Sequence, residues 1–331
     1  MRVFVYCPAN YSTGGPEALH QFASTGRALG YDIAMVYFPE DHPSPVPENY
    51  RCYGAPVAAR ACDATDSVIV VPETEVHRLA EFRLATRAVW WLSVDNFETR
   101  AEMLRERTKA AVSPLNFVFD PRVGCQHLAQ SEYARQYLAA KEQPAERTHL
   151  LTDFIRSEIV ERSRSLRDAG KLDFVAYNPQ KGLDFTKALM AASPPELKWL
   201  PIQNMTPAQV AELLGHAKAY VDFGGHPGRD RIPREAALCG ACVVTGMKGS
   251  AANEIDIPVS SHYKIDESRP DAHQRTVALL LDIVQRYDAH RPAFDGYRQW
   301  VERQEAAFAD EVFTTLSALQ AGIRARRKFS L

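Results

Sequence analysis

The sequence predicts an α/β protein with two Rossmann-like, doubly wound domains that face a cleft, followed by a long C-terminal helical segment. Its 331 residues are more than a domain with a single hydrophobic core usually contains, which favours two domains. In both halves, short apolar segments alternate with helical patterns. Continuous apolar strands of this kind are typical of parallel sheets that are buried on both faces.

The first half begins with a βαβ unit. A strand is predicted at residues 3–6 and a helix at residues 15–29, after which Gly30 is expected to end the helix. Further apolar segments predict strands at residues 32–38, 67–71, 88–94 and 116–119. A strand, a glycine-containing loop, a helix and a second strand in this order favour a right-handed crossover and a doubly wound sheet.

The second half repeats this pattern. Strands are predicted at residues 174–177, 199–202, 219–223 and 241–245, with a helix at 207–216. The charged segment 156–171 contains no strand pattern, and the chain is helical after Pro270. We therefore predict an N-terminal Rossmann-like domain at 1–158, a C-terminal Rossmann-like domain at 159–296, and a helix at 297–331 that packs on the N-terminal domain.

Composition and charge exclude several classes of protein. A chain with 46% hydrophobic residues and a net charge of -2 is globular and has no overall field that attracts nucleic acid. It lacks a secretory signal pattern and any apolar stretch of the roughly 18 residues that span a membrane. We expect a cytoplasmic protein. The basic run of Arg324, Arg326, Arg327 and Lys328 is compatible with peripheral contact at the inner face of a membrane.

The cysteines predict neither a disulfide framework nor a metal site. Cys239 and Cys242 form a C-x-x-C pair, a spacing that also occurs in zinc and redox sites. No second pair or histidine follows at ligand spacing, and the pair runs into the predicted strand 241–245. We interpret both cysteines as structural.

Three loops at predicted strand ends contain residues suited to ligand binding, because open α/β sheets bind ligands at the carboxyl ends of their strands. The first loop contains Gly14, Gly15 and Glu17, and its glycines allow close approach to a ligand at a helix N-terminus. The second contains Lys181 beside Gly182. A lysine at this position can neutralise a diphosphate.

The third loop, residues 222–235, concentrates the most charge. It combines three glycines with His226, Arg229, Arg231 and Arg234, and the following helix is predicted to start at Glu235. Arginines and free backbone N–H groups at a helix start predict a surface that binds an anion.

The helix that follows has the pattern Glu-Ala-x-x-x-Gly-x-x-Val-Val from Glu235, with Gly246, Gly249 and Glu254 beyond it. In this pattern the chain resembles glycosyltransferases of the GT-B fold, especially the retaining group with a Glu-x7-Glu donor motif. The resemblance implies that Glu235 holds the ribose of a nucleotide-sugar donor and that Lys181 binds its diphosphate. The resemblance also implies that the N-terminal domain binds the acceptor and the C-terminal domain binds the donor. With the arginines of the third loop, the predicted donor-binding residues are Gly14, Gly15, Lys181, Arg229, Arg231, Glu235 and Glu254.

One position departs from the family pattern. The first glutamate of Glu-x7-Glu would fall at Pro227, in a loop that instead contains His226, Arg229 and Arg231. We therefore expect contacts to the donor sugar that differ from those of the family, and a donor with more phosphate or carboxylate character.

Transfer of a sugar requires stabilisation of the leaving diphosphate, which Lys181 and the arginines could provide without a metal or another cofactor. If the reaction inverts the anomeric centre, Asp95 is the candidate base, with Glu17 and His226 as alternates. Asp95 could equally be the N-cap of a helix at 97–107. The residues leave the retaining and inverting outcomes open.

The expected function is transfer of a hexosyl or pentosyl group from a nucleotide-diphosphate donor to a glycan or lipid-linked acceptor, as in the synthesis of bacterial surface polysaccharides. A donor of the phosphoribosyl diphosphate type and a non-catalytic sugar- or nucleotide-binding protein are the alternatives. An NAD-dependent oxidoreductase is disfavoured, because Gly14-Gly15-Pro16 does not match G-x-G-x-x-G.

Overall fold

The computed structural model describes the backbone of residues 1–329 and the side chains of residues 1–326. The chain forms two compact units. Unit 1 comprises Met1–Asp153 and the C-terminal segment from Ala306, and unit 2 comprises Phe154–Glu305.

Unit 1 is built on a six-stranded parallel sheet with the order β2-β1-β3-β4-β5-β6. Its core contains the fully buried Trp90 and Trp91. The strands are β1 (Arg2–Pro8), β2 (Asp32–Phe38), β3 (Ser67–Pro72), β4 (Thr86–Trp91), β5 (Gln126–Ala129) and β6 (Thr148–Leu150). The helices are α1 (Gly14–Ala28), α2 (Val94–Thr108), α3 (Glu132–Ala140) and the C-terminal α11 (Gln304–Phe329), most of which belongs to this unit.

Unit 2 is built on a five-stranded parallel sheet with the order β11-β10-β9-β7-β8. The strands are β7 (Leu172–Tyr177), β8 (Lys198–Pro201), β9 (Ala217–Asp222), β10 (Cys242–Gly246) and β11 (Lys264–Ile265). The helices are α4 (Ser157–Arg167), α5 (Leu183–Ala192), α6 (Pro207–His216), α7 (Arg231–Leu238), α8 (Ala272–Gln285), α9 (Tyr287–His290) and α10 (Asp295–Glu302).

The predicted fold class is confirmed, and the differences concern short elements. Residues 116–119, predicted as a strand, belong to a 3-10 helix at Pro114–Phe119 that the side chain of Ser113 caps by accepting from the Leu115 amide. Three of the four strands with two to four residues, β5, β6 and β11, were not predicted, because so few residues show little periodicity. The predicted helix at 207–216 is confirmed and has a capping box formed by Thr206 and Gln209.

The two cysteines of the C-x-x-C pair are buried and free. Burial raises the pKa of Cys239 and raises the pKa of Cys242 to about 12, so neither thiol forms a thiolate readily. This agrees with the structural interpretation of the pair.

No helix within residues 1–329 has both the length and the apolar character needed to cross a membrane. Arg324 and Arg326 of the basic run are exposed on α11. The side chains of Arg327 and Lys328 lie outside the described residues.

The loops after β7 and β9 pack against each other through two glycines. Gly182 has φ +51° and Gly224 has φ +94°, a left-handed region that suits glycine. A Cβ on Gly182 would overlap the backbone carbonyl of Phe223, and a Cβ on Gly224 would lie 2.7 Å from the Gly182 nitrogen. Any side chain at either position would separate the two loops.

Gly182→Ala is expected to lower the free energy of unfolding of unit 2 by about 2 kcal/mol or more, since left-handed strain and backbone overlap add together. Thermal unfolding followed by circular dichroism measures this effect. Gly170→Ala is the matched control, because a Cβ on Gly170 meets no atom within 4 Å. Equal melting temperatures for the two variants would contradict the close packing of the loops.

Candidate functional site

The strand order of each sheet defines where its loops diverge. In unit 2, β7 lies between β8 and β9, so the chain crosses to opposite sides of β7 after successive strands. Ligands of open α/β sheets bind at this topological switch point, outside the carboxyl ends of the strands. The loops there are residues 178–182 after β7 and residues 223–230 after β9.

The helix after the second of these loops begins one turn earlier than predicted. α7 starts at Arg231, so the predicted start at Glu235 is wrong and Glu235 lies in the second turn. Pro233 is compatible with the first turn, because a residue there needs no N–H for an intrahelical hydrogen bond. Arg231 Nη2 lies 3.2 Å from Glu235 Oε1, which places the predicted ribose-binding carboxylate in an ion pair within the helix.

A cluster of four ionisable side chains occupies the switch point, and we call it the ionic cluster: Lys181, Asp222, His226 and Asp230. Lys181 Nζ donates to Asp230 Oδ2 at 2.5 Å, and His226 Nδ1 lies 2.7 Å from the same oxygen. The other ring nitrogen, Nε2, lies 3.2 Å from the Asp222 carbonyl oxygen. The His226 side chain is fully buried, whereas Lys181 is 25% exposed.

The charges in the ionic cluster shift one another. Burial alone would lower the pKa of His226, but the contact with Asp230 and the charge of Asp222 outweigh burial and raise it. Burial likewise opposes ionisation of Asp230, yet His226 and Lys181 lower its pKa. Burial dominates at Asp222 and raises its pKa, and Oδ1 of Asp222 has no hydrogen-bond partner among the described residues.

Three members of this cluster offer ligand atoms to a cation. Asp222, His226 and Asp230 each present one such atom, and these atoms lie within 4.8 Å of one another. The ammonium group of Lys181 already faces the Asp230 carboxylate, and His226 faces it from within the loop. The ammonium group of Lys181 therefore already supplies positive charge at this carboxylate.

The three arginines of the loop have different environments. Arg234 is buried, and its guanidinium donates to the carbonyl oxygens of Asp230 and Arg229 and to Gln304 Oε1. The guanidinium of Arg229 lies 4.6 Å from the ring centre of Trp300, and the residue is 8% exposed. Arg231 keeps 24% of its side chain exposed. Arg234 thus shapes the loop, whereas Arg231 reaches solvent.

The segment after β10 supports the same loop. The Ser250 amide donates to the His226 carbonyl at 2.8 Å, and Ser250 Oγ donates to the Gly228 carbonyl at 2.6 Å. Glu254 lies in an exposed turn beyond this support. Glu267, which the sequence patterns did not single out, accepts from the Gly224 amide at 3.1 Å and pairs with Lys248 at 2.8 Å.

In unit 1, the glycine loop leads directly into α1. The helix begins at Gly14, with Thr13 as the N-cap residue. Glu17 is buried in the first turn, where its Oε1 accepts from the Tyr53 hydroxyl at 3.0 Å. The 3-10 helix at Glu48–Tyr53 supplies this tyrosine, so Glu17 is held by a segment that follows β2.

Asp95 lies in the first turn of α2, and the N-cap is Ser93, whose Oγ accepts from the Asn96 amide at 3.2 Å. The alternative that Asp95 is the N-cap is therefore wrong. Asp95 Oδ1 accepts from the Tyr133 hydroxyl at 2.8 Å, and Glu98 makes the corresponding bond to Tyr137. Two carboxylate–tyrosine bonds thus join α2 to α3.

A further carboxylate in unit 1 escaped the sequence patterns. Glu73 follows β3 and is buried, and its Oε2 accepts from the Leu92 amide at 3.1 Å. Burial raises its pKa to about 7. The signal available in the sequence was a carboxylate directly after the apolar run of residues 68–72.

No protein-family model matches the chain, and no curated protein matches its sequence. Solved structures of glycosyltransferases match its fold over nearly all of both chains. The structure of Anabaena HepE with UDP-glucose has a TM-score of 0.66 at 12% identity and covers 96% of this chain and 100% of that one. Sucrose-phosphate synthase from Thermosynechococcus elongatus has 0.62 at 12%, covering 100% of each chain.

A glycosyltransferase from Rickettsia africae has a TM-score of 0.58 at 10% identity, covering 94% of this chain and 98% of that one. At this level of identity the likeness shows the fold. The chain has the GT-B fold, with two Rossmann-like domains and a long C-terminal helix.

Arg234→Lys is expected to lower the free energy of unfolding by about 3 kcal/mol. The single ammonium group of a lysine cannot replace the planar guanidinium, which donates to three separate oxygen acceptors. Chemical denaturation measures the loss. Arg275→Lys, an exposed position on α8, is the control and should change stability little. If Arg234→Lys lowers the free energy of unfolding no more than Arg275→Lys does, the hydrogen bonds of the Arg234 guanidinium do not contribute to stability.

Proposed function

We propose that this protein is a glycosyltransferase that transfers a hexosyl or pentosyl group from a nucleotide-diphosphate donor. The observation that carries the proposal is the placement of two partly exposed cations at the switch point of the unit 2 sheet: Lys181 in the loop after β7, and Arg231 at the start of α7. Cations and the free N–H groups of a helix start suit a diphosphate. The shared fold supports the same reaction class.

The structures that share the fold also indicate a donor class to test first. The HepE structure contains UDP-glucose. We infer that this chain takes a related donor, with the diphosphate at Lys181 and Arg231 and the ribose near Glu235. Gly14, Gly15, Arg229 and Glu254 complete the proposed donor-binding set.

The departure of the diphosphate leaves negative charge that the protein must stabilise. Lys181 is suited to this role, because its ammonium is held at the loop by Asp230 and still reaches solvent. We propose that this charge, together with Arg231, makes the reaction independent of a metal ion. Turnover should then persist in EDTA, and a requirement for Mg²⁺ or Mn²⁺ would contradict it.

We propose a glycan or lipid-linked acceptor, such as an intermediate of bacterial surface polysaccharide synthesis, bound by unit 1. Exposed Arg324 and Arg326 support peripheral contact with an anionic membrane at its cytoplasmic face. Asp95 is proposed as the base if the reaction inverts configuration, with Glu17 as the alternate, whereas the His226 side chain is fully buried in the ionic cluster. Glu17 is less accessible than Asp95, because it is only 3% exposed.

Donor binding tests the central proposal. Titration calorimetry with UDP, GDP, ADP and UDP-glucose should give a saturable affinity for at least one nucleotide. Lys181→Ala should weaken that affinity by roughly 10- to 100-fold, the value of one charge-assisted hydrogen bond. Lys187→Ala on the exposed side of α5 is the control and should bind as the wild type does.

Absence of binding for every nucleotide and for phosphoribosyl diphosphate would overturn the proposed donor site. Preference for phosphoribosyl diphosphate over all nucleotides would replace the donor class. Binding without product from any donor and acceptor would indicate a non-catalytic sugar- or nucleotide-binding protein.

Asp95→Asn should reduce turnover by about 100-fold or more if this carboxylate is the base of an inverting reaction. Glu98→Gln is the matched control, since it removes the neighbouring carboxylate–tyrosine bond between the same two helices. NMR of the product shows whether the anomeric configuration is inverted. The base assignment requires both an inverted product and the lower turnover of Asp95→Asn. Equal turnover in the two variants would show that Asp95 has only a structural role, as the partner of Tyr133.

A further inference from the structure

Two histidines of this chain are fully buried but face opposite kinds of partner. His226 in unit 2 and His127 in unit 1 each have 0% exposure. A neutral imidazole has one N–H and one lone pair, so it needs one acceptor and one donor as neighbours. The partners of a buried ring therefore determine its protonation state.

His226 faces an acceptor at each ring nitrogen. Nε2 lies 3.2 Å from the carbonyl oxygen of Asp222 in a hydrogen bond. Nδ1 lies 2.7 Å from Asp230 Oδ2, a close ionic contact without hydrogen-bond geometry. The backbone carbonyl cannot donate a proton, and Asp230 Oδ2 already accepts one from Lys181. Two lone pairs repel at the 2.7 Å that separates Nδ1 from Asp230 Oδ2, so Nδ1 carries a proton as well as Nε2, and the ring is an imidazolium.

His127 has the opposite arrangement. The Trp91 indole, which can only donate, gives its N–H to His127 Nδ1 at 3.1 Å, so this nitrogen carries a lone pair. Nε2 lies 3.0 Å from Gln143 Oε1, to which it donates. His127 is therefore neutral, and burial lowers its pKa to about 4. The same chain thus contains an internal reference for a buried neutral ring.

We propose that His226 is a positioning residue for donor binding that is charged at neutral pH: as an imidazolium it fixes Asp230, and through Asp230 it holds Lys181 where the diphosphate binds. This inference rests on the proposed function for its consequence, but the charge state itself does not. The ring makes no contact with solvent and is placed behind Asp230, so it acts through that carboxylate.

The charge balance of the ionic cluster explains why a cation is needed. With both aspartates ionised, Lys181 and His226 bring the cluster to neutrality. A neutral His226 would leave one excess negative charge beside Lys181, and an anionic diphosphate would be repelled. The imidazolium thus preserves the attraction of Lys181 for the donor.

The groups that face His226 come from three segments. Asp222 ends β9, Asp230 precedes α7, and Lys181 belongs to the loop after β7. The segment after β10 contacts the His226 backbone through the Ser250 amide. Lys181 opposes the charge on His226, and both carboxylates favour it. Because the pKa of His226 is raised, its charge is complete at low pH and is lost as pH rises through the folded-state value.

The charge state is measured directly by ¹⁵N NMR of histidine-labelled, donor-free protein. His226, assigned by the resonances that disappear in His226→Gln, should show two protonated ring nitrogens at pH 7, and His127 should show one. A lone-pair nitrogen on His226 at pH 7 would overturn the proposal, whether or not the protein proves to be a glycosyltransferase.

The positioning role is measured by the pH dependence of affinity for UDP, with inorganic pyrophosphate as a second probe. Wild-type affinity should fall about tenfold or more as pH rises through the transition that NMR assigns to His226. In His226→Gln the affinity should be low throughout and that step should be absent. His216→Gln removes an exposed histidine–glutamate pair in the same unit and should keep the wild-type profile.

Three outcomes are distinguishable. A charged His226 without any pH step in probe affinity would refute the positioning role, as would an unchanged step in His226→Gln. If the glutamine variant unfolds, the wild type alone decides: a step in probe affinity that does not coincide with the His226 transition seen by NMR would refute the positioning role. If neither probe binds the wild type at any pH, the proposed donor site and the role of His226 in it both fail, although the charge state stands.

Discussion

The carboxylate of Asp230 holds together segments that are far apart in the sequence. One of its oxygens accepts from Lys181, in the loop after β7, and faces His226, in the loop after β9. Its backbone carbonyl accepts from Arg234 in α7. The Asp230 side chain is only 21% exposed, so compensation of its charge stabilises it, and the positions of the two loops therefore depend on each other.

Glycine makes this arrangement sterically feasible. Gly182 and Gly224 bring the two loops closer than side chains would allow. The ion pair between Lys181 and Asp230 also joins these loops. The result is a charged surface on a rigid support, in which Arg234 satisfies the loop carbonyls. Preorganised cations of this kind stabilise developing negative charge without a cost of reorganisation.

The two buried histidines show how the surroundings choose a protonation state. His127 receives a hydrogen bond from an indole and is neutral, whereas His226 is surrounded by acceptors and favours the cation. Burial acts in the same direction on both rings, since it disfavours the charged form. The difference lies in the partners, and at His226 the carboxylates prevail.

The sequence by itself determined the fold class, because long apolar strands and amphipathic helices report burial through their periodicity. It also located the loops with Lys181 and His226, since glycines and cations at strand ends are visible without a structure.

The start of α7 predicted from the sequence was wrong by a turn, because Pro233 and three arginines obscured the helical pattern. The strands β5, β6 and β11 were missed because they contain only two to four residues each. Only the tertiary structure decided that Asp230 pairs with both Lys181 and His226, and that Glu267 accepts from the Gly224 amide. Charge pairing between separate loops depends on distances in space, and no local pattern in the chain encodes those distances.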